Sequence, residues 1–153
     1  MERDELAAWL RLTAFEGIGN GAARKLLSAF GLPQAIFQQT QAALEAVVGP
    51  MRAATLQAEP AGWAALCERT WAWLESDPVQ RRIVTLGDAN YPAPLLHIED
   101  PPLLLYLLGR PADWQAPAVA VVGSRNPTPQ GLQNARAFSR AFAEVGEIGR
   151  AHV

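Results

Sequence analysis

The chain has 153 residues, half of them hydrophobic, with one cysteine, two histidines and a formal charge of −2 from thirteen Lys and Arg against fifteen Asp and Glu. This is enough apolar material to bury a core in one or two small domains, and it excludes a globally basic polyanion binder, so any nucleic-acid site must be a local patch. A lone Cys67 excludes an internal disulfide, and one Cys with two His makes no recognisable metal pattern. No stretch reaches the length of a bilayer span, and MERDELAAWL lacks the basic-then-apolar plan of an export signal. The expected setting is a reducing cytoplasm, with no membrane contact, metal or cofactor.

In chain order, Glu5 to Ala14 carries Leu6, Trp9, Leu10 and Thr13 at helical spacing, a stripe aimed at a core. Gly17-Ile18-Gly19 follows, and then a second helix over Ala22 to Phe30 with Leu26, Leu27 and Phe30, closed by Gly31. The pair has two readings. As a helix-hairpin-helix, the N–H groups of Gly17 and Gly19 hold a DNA phosphate without reading sequence, helped by Asn20, Arg24 and Lys25. As a packed αα-hairpin, the favoured reading, the glycines only permit a close crossing. A second short copy runs over Ala42 to Val48, Gly49-Pro50 and Met51 to Gln57.

Trp63, Trp71 and Trp73 could serve as base-stacking platforms. Trp63, Leu66, Thr70 and Leu74 nevertheless recur at helical spacing with Cys67 beside them, which favours core packing, and Glu68, Arg69, Glu75 and Asp77 read as a solvated face. Composition changes near Ser76 to Pro78: short apolar runs punctuated by Pro and Gly replace helices. Strands are expected over Ile83 to Leu86, Leu103 to Leu107 and Ala118 to Val122, the last followed by a helix to Val145 with Leu132, Ala135, Phe138, Phe142 and Val145 on its apolar side. Arg136 and Arg140 lie one turn apart on that helix, either extending a phosphate track or simply solvated, the commoner outcome. His97 has no nucleophile at suitable spacing and reads as a loop histidine, so no catalytic residue is assigned.

The run AVAVVGSRNPTPQG, Ala118 to Gly131, carries the most chemistry. Its strand is apolar throughout, as in a parallel strand covered on both faces. Gly123 frees the turn from a Cβ, Ser124 and Arg125 offer a hydroxyl and a guanidinium fork, and Thr128-Pro129 reads as N-cap and first helical residue. A helix pointing its positive end at such a turn suits an anion. The spacing is neither a P-loop nor a dinucleotide fingerprint, and a plain strand-to-helix connection with an exposed Arg is the alternative.

Together with Tyr91-Pro92, Leu95, Asp100-Pro101-Pro102, Leu103-Leu104-Leu105-Tyr106 and Gly109, in that order and spacing, this run resembles the DNA-processing protein A (DprA/Smf) family. The resemblance implies an α plus α/β chain: a helical SAM-like or helix-hairpin-helix domain over 1–78, then the start of a Rossmann-like doubly wound sheet over 79–146. It implies a non-enzymatic mediator of natural transformation that binds single-stranded DNA and loads the RecA recombinase, dimeric when complete. Gly123, Ser124 and Arg125 match the family's phosphate-contacting motif, and Thr128 and Gly131 the turn that opens the next helix; Gly17, Gly19, Arg24, Lys25, Arg136 and Arg140 are secondary candidates. Residues 147–153 depart from the family's continuation into a second strand and read as a non-native tail, which would leave strand edges and an apolar face uncovered. Two alternatives are a nucleoside-monophosphate phosphoribohydrolase-type enzyme, whose Gly-Gly-x-Gly-Thr is absent from these residues, and a helical partner-binding module.

Overall fold

The computed structural model describes residues 1–109, 118–144 and 148–152 and divides into two compact units, Met1–Pro111 and Ala112–Val153. The first unit opens with six helices: α1 (Arg3–Ala14), α2 (Asn20–Phe30), α3 (Pro33–Phe37), α4 (Gln41–Val48), α5 (Pro50–Gln57) and α6 (Trp63–Ser76). Their ends follow from local chemistry. Pro33 and Pro50 stand at first-turn positions, where a missing N–H costs nothing, and the Thr40 hydroxyl caps α4 by accepting from Ala43 N at 3.3 Å. Gly49, at φ 82°, ends α4 by donating to Glu45 O and starts α5 by accepting from Ala53 N, so one residue makes the whole connection.

Two apolar clusters lie beneath these helices. One gathers Trp9, Leu12, Phe15, Ile18, Leu26, Ile36, Leu44 and Leu56 from five helices; the other gathers Leu6, Leu10 and Ile83 under Trp63, Leu66, Trp71, Trp73 and Leu74. The α6 tryptophans therefore pack against the core, and Trp63 Nε1 donates to Ala7 O at 2.9 Å. Thr70 is buried against Tyr106, hydroxyl to hydroxyl at 3.0 Å. In α1 the stripe differs from the expected one at a single place. Thr13 faces solvent with its hydroxyl on Leu10 O, and Leu12, fully buried, takes the core position, because the inward arc of α1 is wide enough to include it.

Strands β1 (Arg81–Thr85) and β2 (Leu104–Leu108) form an antiparallel pair in the register Ile83↔Tyr106, extended by Leu86 N to Leu103 O and Gly109 N to Gln80 O. Each strand lies within two residues of its expected place. This pair belongs to the helical unit, not to the α/β part beyond the expected division at 78/79, because Leu103 sits in the first cluster and Leu104 packs against both. Between the strands, a 3-10 turn (Ala93–His97) leaves His97 exposed, its Nδ1 3.1 Å from Ala93 O.

The second unit is β3 (Ala118–Val122), α7 (Pro129–Glu144) and β4 (Ile148–His152), with β4 parallel to β3 in the register Ala120↔Arg150. Residues of the expected tail thus form a strand beside β3. Val145 and the 110–117 connection lie outside the described residues. The two-sided burial expected of β3 is not found among the described residues: Val119 and Val121 are partly covered, whereas Val122 is 79% exposed, because of the described elements of this unit α7 alone packs on the sheet and it shields one face. On α7, Leu132, Ala135, Ser139 and Phe142 are half-buried. Phe138 falls outside that arc, 60% exposed, with its ring stacked on Phe142.

Candidate nucleic-acid interface

The end of β3, the turn after it and the first two turns of α7 enclose a half-open concavity of about 410 Å³. Its wall is Val121, Val122, Gly123 and Ser124 on the strand side, Asn126 and Pro127 at the turn, and Thr128, Gly131, Leu132 and Ala135 on the helix. Four of the five principal candidates therefore converge on one cavity. Arg125 does not line it and is exposed on the same turn, with no carboxylate partner among the described residues.

The turn is set by two hydroxyls. Ser124 Oγ accepts from Asn126 N at 3.2 Å, and Thr128 Oγ1 accepts from Gly131 N at 3.1 Å while Thr128 O takes Leu132 N at 3.0 Å, so Thr128 caps α7 as its sequence context predicts. Among the described residues, the N–H groups of Ser124, Arg125 and Gln130 donate no hydrogen bond, and they remain available to an anion. Gly123 departs from its expected role. Its φ is not in the left-handed region and a Cβ there would meet nothing within 4 Å, so neither the turn nor packing demands glycine. Gly131 is tight instead: a Cβ would lie 3.3 Å from the Thr128 hydroxyl that caps the helix.

Residues 118–144 hold three arginines against one glutamate, a local positive excess within an acidic chain. Arg136 and Arg140 border a shallow depression on another flank of α7 with Gln133, Ala137, Ala141 and Glu144, the last partly offsetting their charge.

The secondary candidates in the helical unit are placed differently. Gly17 adopts φ 82° and its carbonyl accepts from Arg52 Nε at 3.3 Å; Gly19 precedes α2 and its carbonyl accepts from Ala22 and Ala23. Lys25 is exposed. Arg24 is engaged inside the chain, its Nη1 on Asp100 Oδ1 at 2.6 Å and on Pro101 O at 3.2 Å, and Asn20 Nδ2 donates to Asp100 Oδ2 at 2.9 Å. Arg24 first, then Asn20, hold the Asp100 carboxyl below the usual carboxylate range. Nothing local in the sequence announces this clasp, since 76 positions separate Arg24 from Asp100 and only the fold brings them together. Asn126, Pro127, Leu132 and Ala135 in the cavity wall were likewise unassigned, although their positions within one turn of the motif could have supplied them.

Within a mixed helical and β chain, an apolar strand running through Gly-Ser-Arg into a capped helix, with a parallel neighbour, forms a β-α-β unit with an open strand-to-helix turn. Residues 82–148 match the family described as DNA recombination-mediator protein A, and over this stretch the chain is similar to that family. Over 69 residues the chain is 38% identical to Protein Smf of Synechocystis sp., an alignment covering 42% of this chain and 17% of that protein. The Gly123–Gly131 turn lies inside the stretch matched to the family.

Proposed function

We propose that this chain serves DNA recombination by binding the phosphate backbone of single-stranded DNA at the Gly123–Gly131 turn. One observation carries the reading: the segment that matches a recombination-mediator family contains a turn whose Ser124, Arg125 and Gln130 N–H groups and Arg125 guanidinium have no partner among the described residues, beside a glycine with open space where a Cβ would stand. Ser124, Arg125 and the capped start of α7 hold a non-bridging oxygen, and the cavity beside them admits the adjoining sugar. Contacts of this kind position a strand without reading its sequence. The overall negative charge confines binding to this local arginine excess.

On this reading the protein is a binder and not a catalyst, acts in the cytoplasm during natural transformation, and presents the coated strand to the RecA recombinase as a homodimer. The β3–α7–β4 unit is the opening of a Rossmann-like sheet, and the helices form a SAM-like unit. Fluorescence anisotropy of labelled oligothymidine across a salt series tests the site. Arg125→Ala is expected to weaken every sequence alike and to lower the salt slope by about 0.7, the signature of one lost single-strand phosphate contact. Unchanged affinity and slope would remove Arg125 from the interface.

A further inference from the structure

We propose that Asn20 and Arg24 form a second, latent phosphate-binding cluster, which Asp100 closes from within the chain. Both oxygens of the Asp100 carboxylate are held, Oδ1 by the Arg24 guanidinium at 2.6 Å and Oδ2 by the Asn20 amide at 2.9 Å. A planar pair of anionic oxygens taken by a guanidinium and an amide is also what the two non-bridging oxygens of a phosphodiester require. Lys25 follows Arg24 on α2, about 100° further round the helix, exposed and in no ion pair among the described residues, so it adds to the local positive field rather than to the same contact.

The clasp is built to be displaced. Asp100 lies in an exposed run from Leu96 to Asp100, and its side chain is 60% exposed against 28% for Arg24. An ion pair so open to water is weak and screened by salt, and it holds because the loop delivers its carboxylate at high effective concentration. A nucleic-acid backbone brings many phosphates to one surface and competes on the same terms, whereas a single free anion does not. Asp100 therefore acts as an autoinhibitory contact: with it seated, Asn20 and Arg24 are engaged within the chain; with it displaced, the Asn20 amide and the Arg24 Nη1 that Pro101 O also holds become available to a phosphate. The inference does not rest on the Gly123 turn.

The test uses the full chain carrying Arg125→Ala, so that any contribution from the other site is reduced, with fluorescein-labelled oligothymidine of twenty nucleotides as the probe. Asp100→Asn removes the competing charge while leaving an acceptor for the clasp. It is expected to tighten binding at low salt and to steepen the salt slope by about 0.7 for each phosphate recruited. Adding Arg24→Gln should return both quantities to the parent values. Asp100→Ser provides a second route to the open cluster. The proposal is overturned if neither variant gains affinity, if the gain survives Arg24→Gln, or if both variants lose their circular dichroism, which would make the clasp a structural tie. Because every comparison is made within one background, these outcomes stand apart from whether Arg125 touches DNA.

Discussion

Removing the Tyr91 hydroxyl by Tyr91→Phe tests the tie that closes the segment between β1 and β2 on itself. Tyr91 is buried, its N–H donates to Asp88 O, and its hydroxyl donates to Pro102 O at 2.8 Å. The ring stays in place on substitution, so the loss is one well-formed hydrogen bond plus a carbonyl left without its partner. Pro102 is only half-buried and water regains part of that carbonyl, which places the expected loss at about 1 kcal/mol, a fivefold change in the folding equilibrium. A second arm uses pH. Burial pushes the Tyr91 phenol above its ordinary value of 10.0, with Arg24 opposing more weakly. A raised folded-state value means that the contribution is fully present below about pH 10 and is lost as pH rises through the folded-state value. Phenylalanine does not titrate, so the gap between wild type and variant should narrow as pH climbs past 10. Urea unfolding followed by tryptophan fluorescence suits the measurement, because four of the five tryptophans, Trp9, Trp63, Trp71 and Trp73, belong to this unit. A gap near zero at neutral pH, or one that widens above pH 10, would refute the assignment of this hydrogen bond.

Two further outcomes follow from packing and capping. Leu26 has no exposed surface and lies where α2 meets the first cluster, so Leu26→Ala should cost about 2–5 kcal/mol and lower the urea midpoint without changing the slope; a loss under 1 kcal/mol would mean the site collapses around the cavity. Thr128→Ala removes the α7 cap and should cost that helix about 1 kcal/mol, read as roughly fivefold faster amide exchange at Gly131 and Leu132; unchanged exchange would show that another group caps the helix.

Much of this architecture could be read from single residues. Gly31, Gly49, Pro50 and Thr128 mark helix ends because each has a specific backbone reason to stand there, and the Ala118–Gly131 run announces its strand, turn and helix in order; the short α3 that Pro33 opens is absent from the sequence expectations. Resemblance located the family through blocks whose spacing survives in the sequence. What escaped depends on contacts between distant segments. Nothing near Asp100 indicates that Arg24 and Asn20 receive it, and nothing in the proline-rich stretch before Leu103 shows that β2 joins the helices. Gly123 could be recognised as notable, but its reason could not: a local reading assigns a turn glycine to backbone freedom, whereas here φ is ordinary and the space around it is empty. Phe138 and Leu12 mark the resolution limit of periodicity, since residues at the border of a helical arc go in or out according to what the neighbouring element covers.

The position of Leu103 and Leu104 bears on heredity as much as on folding. Leu103 completes one apolar cluster and Leu104 touches both, so the helices carry in their own first 78 residues only part of the surface that closes their core. A recombination event that transplanted those helices alone would deliver an open-sided bundle. The smallest piece that evolution could lend to another protein intact runs on through β2, and its seam falls in the stretch after Gly109, where composition gives no warning of it.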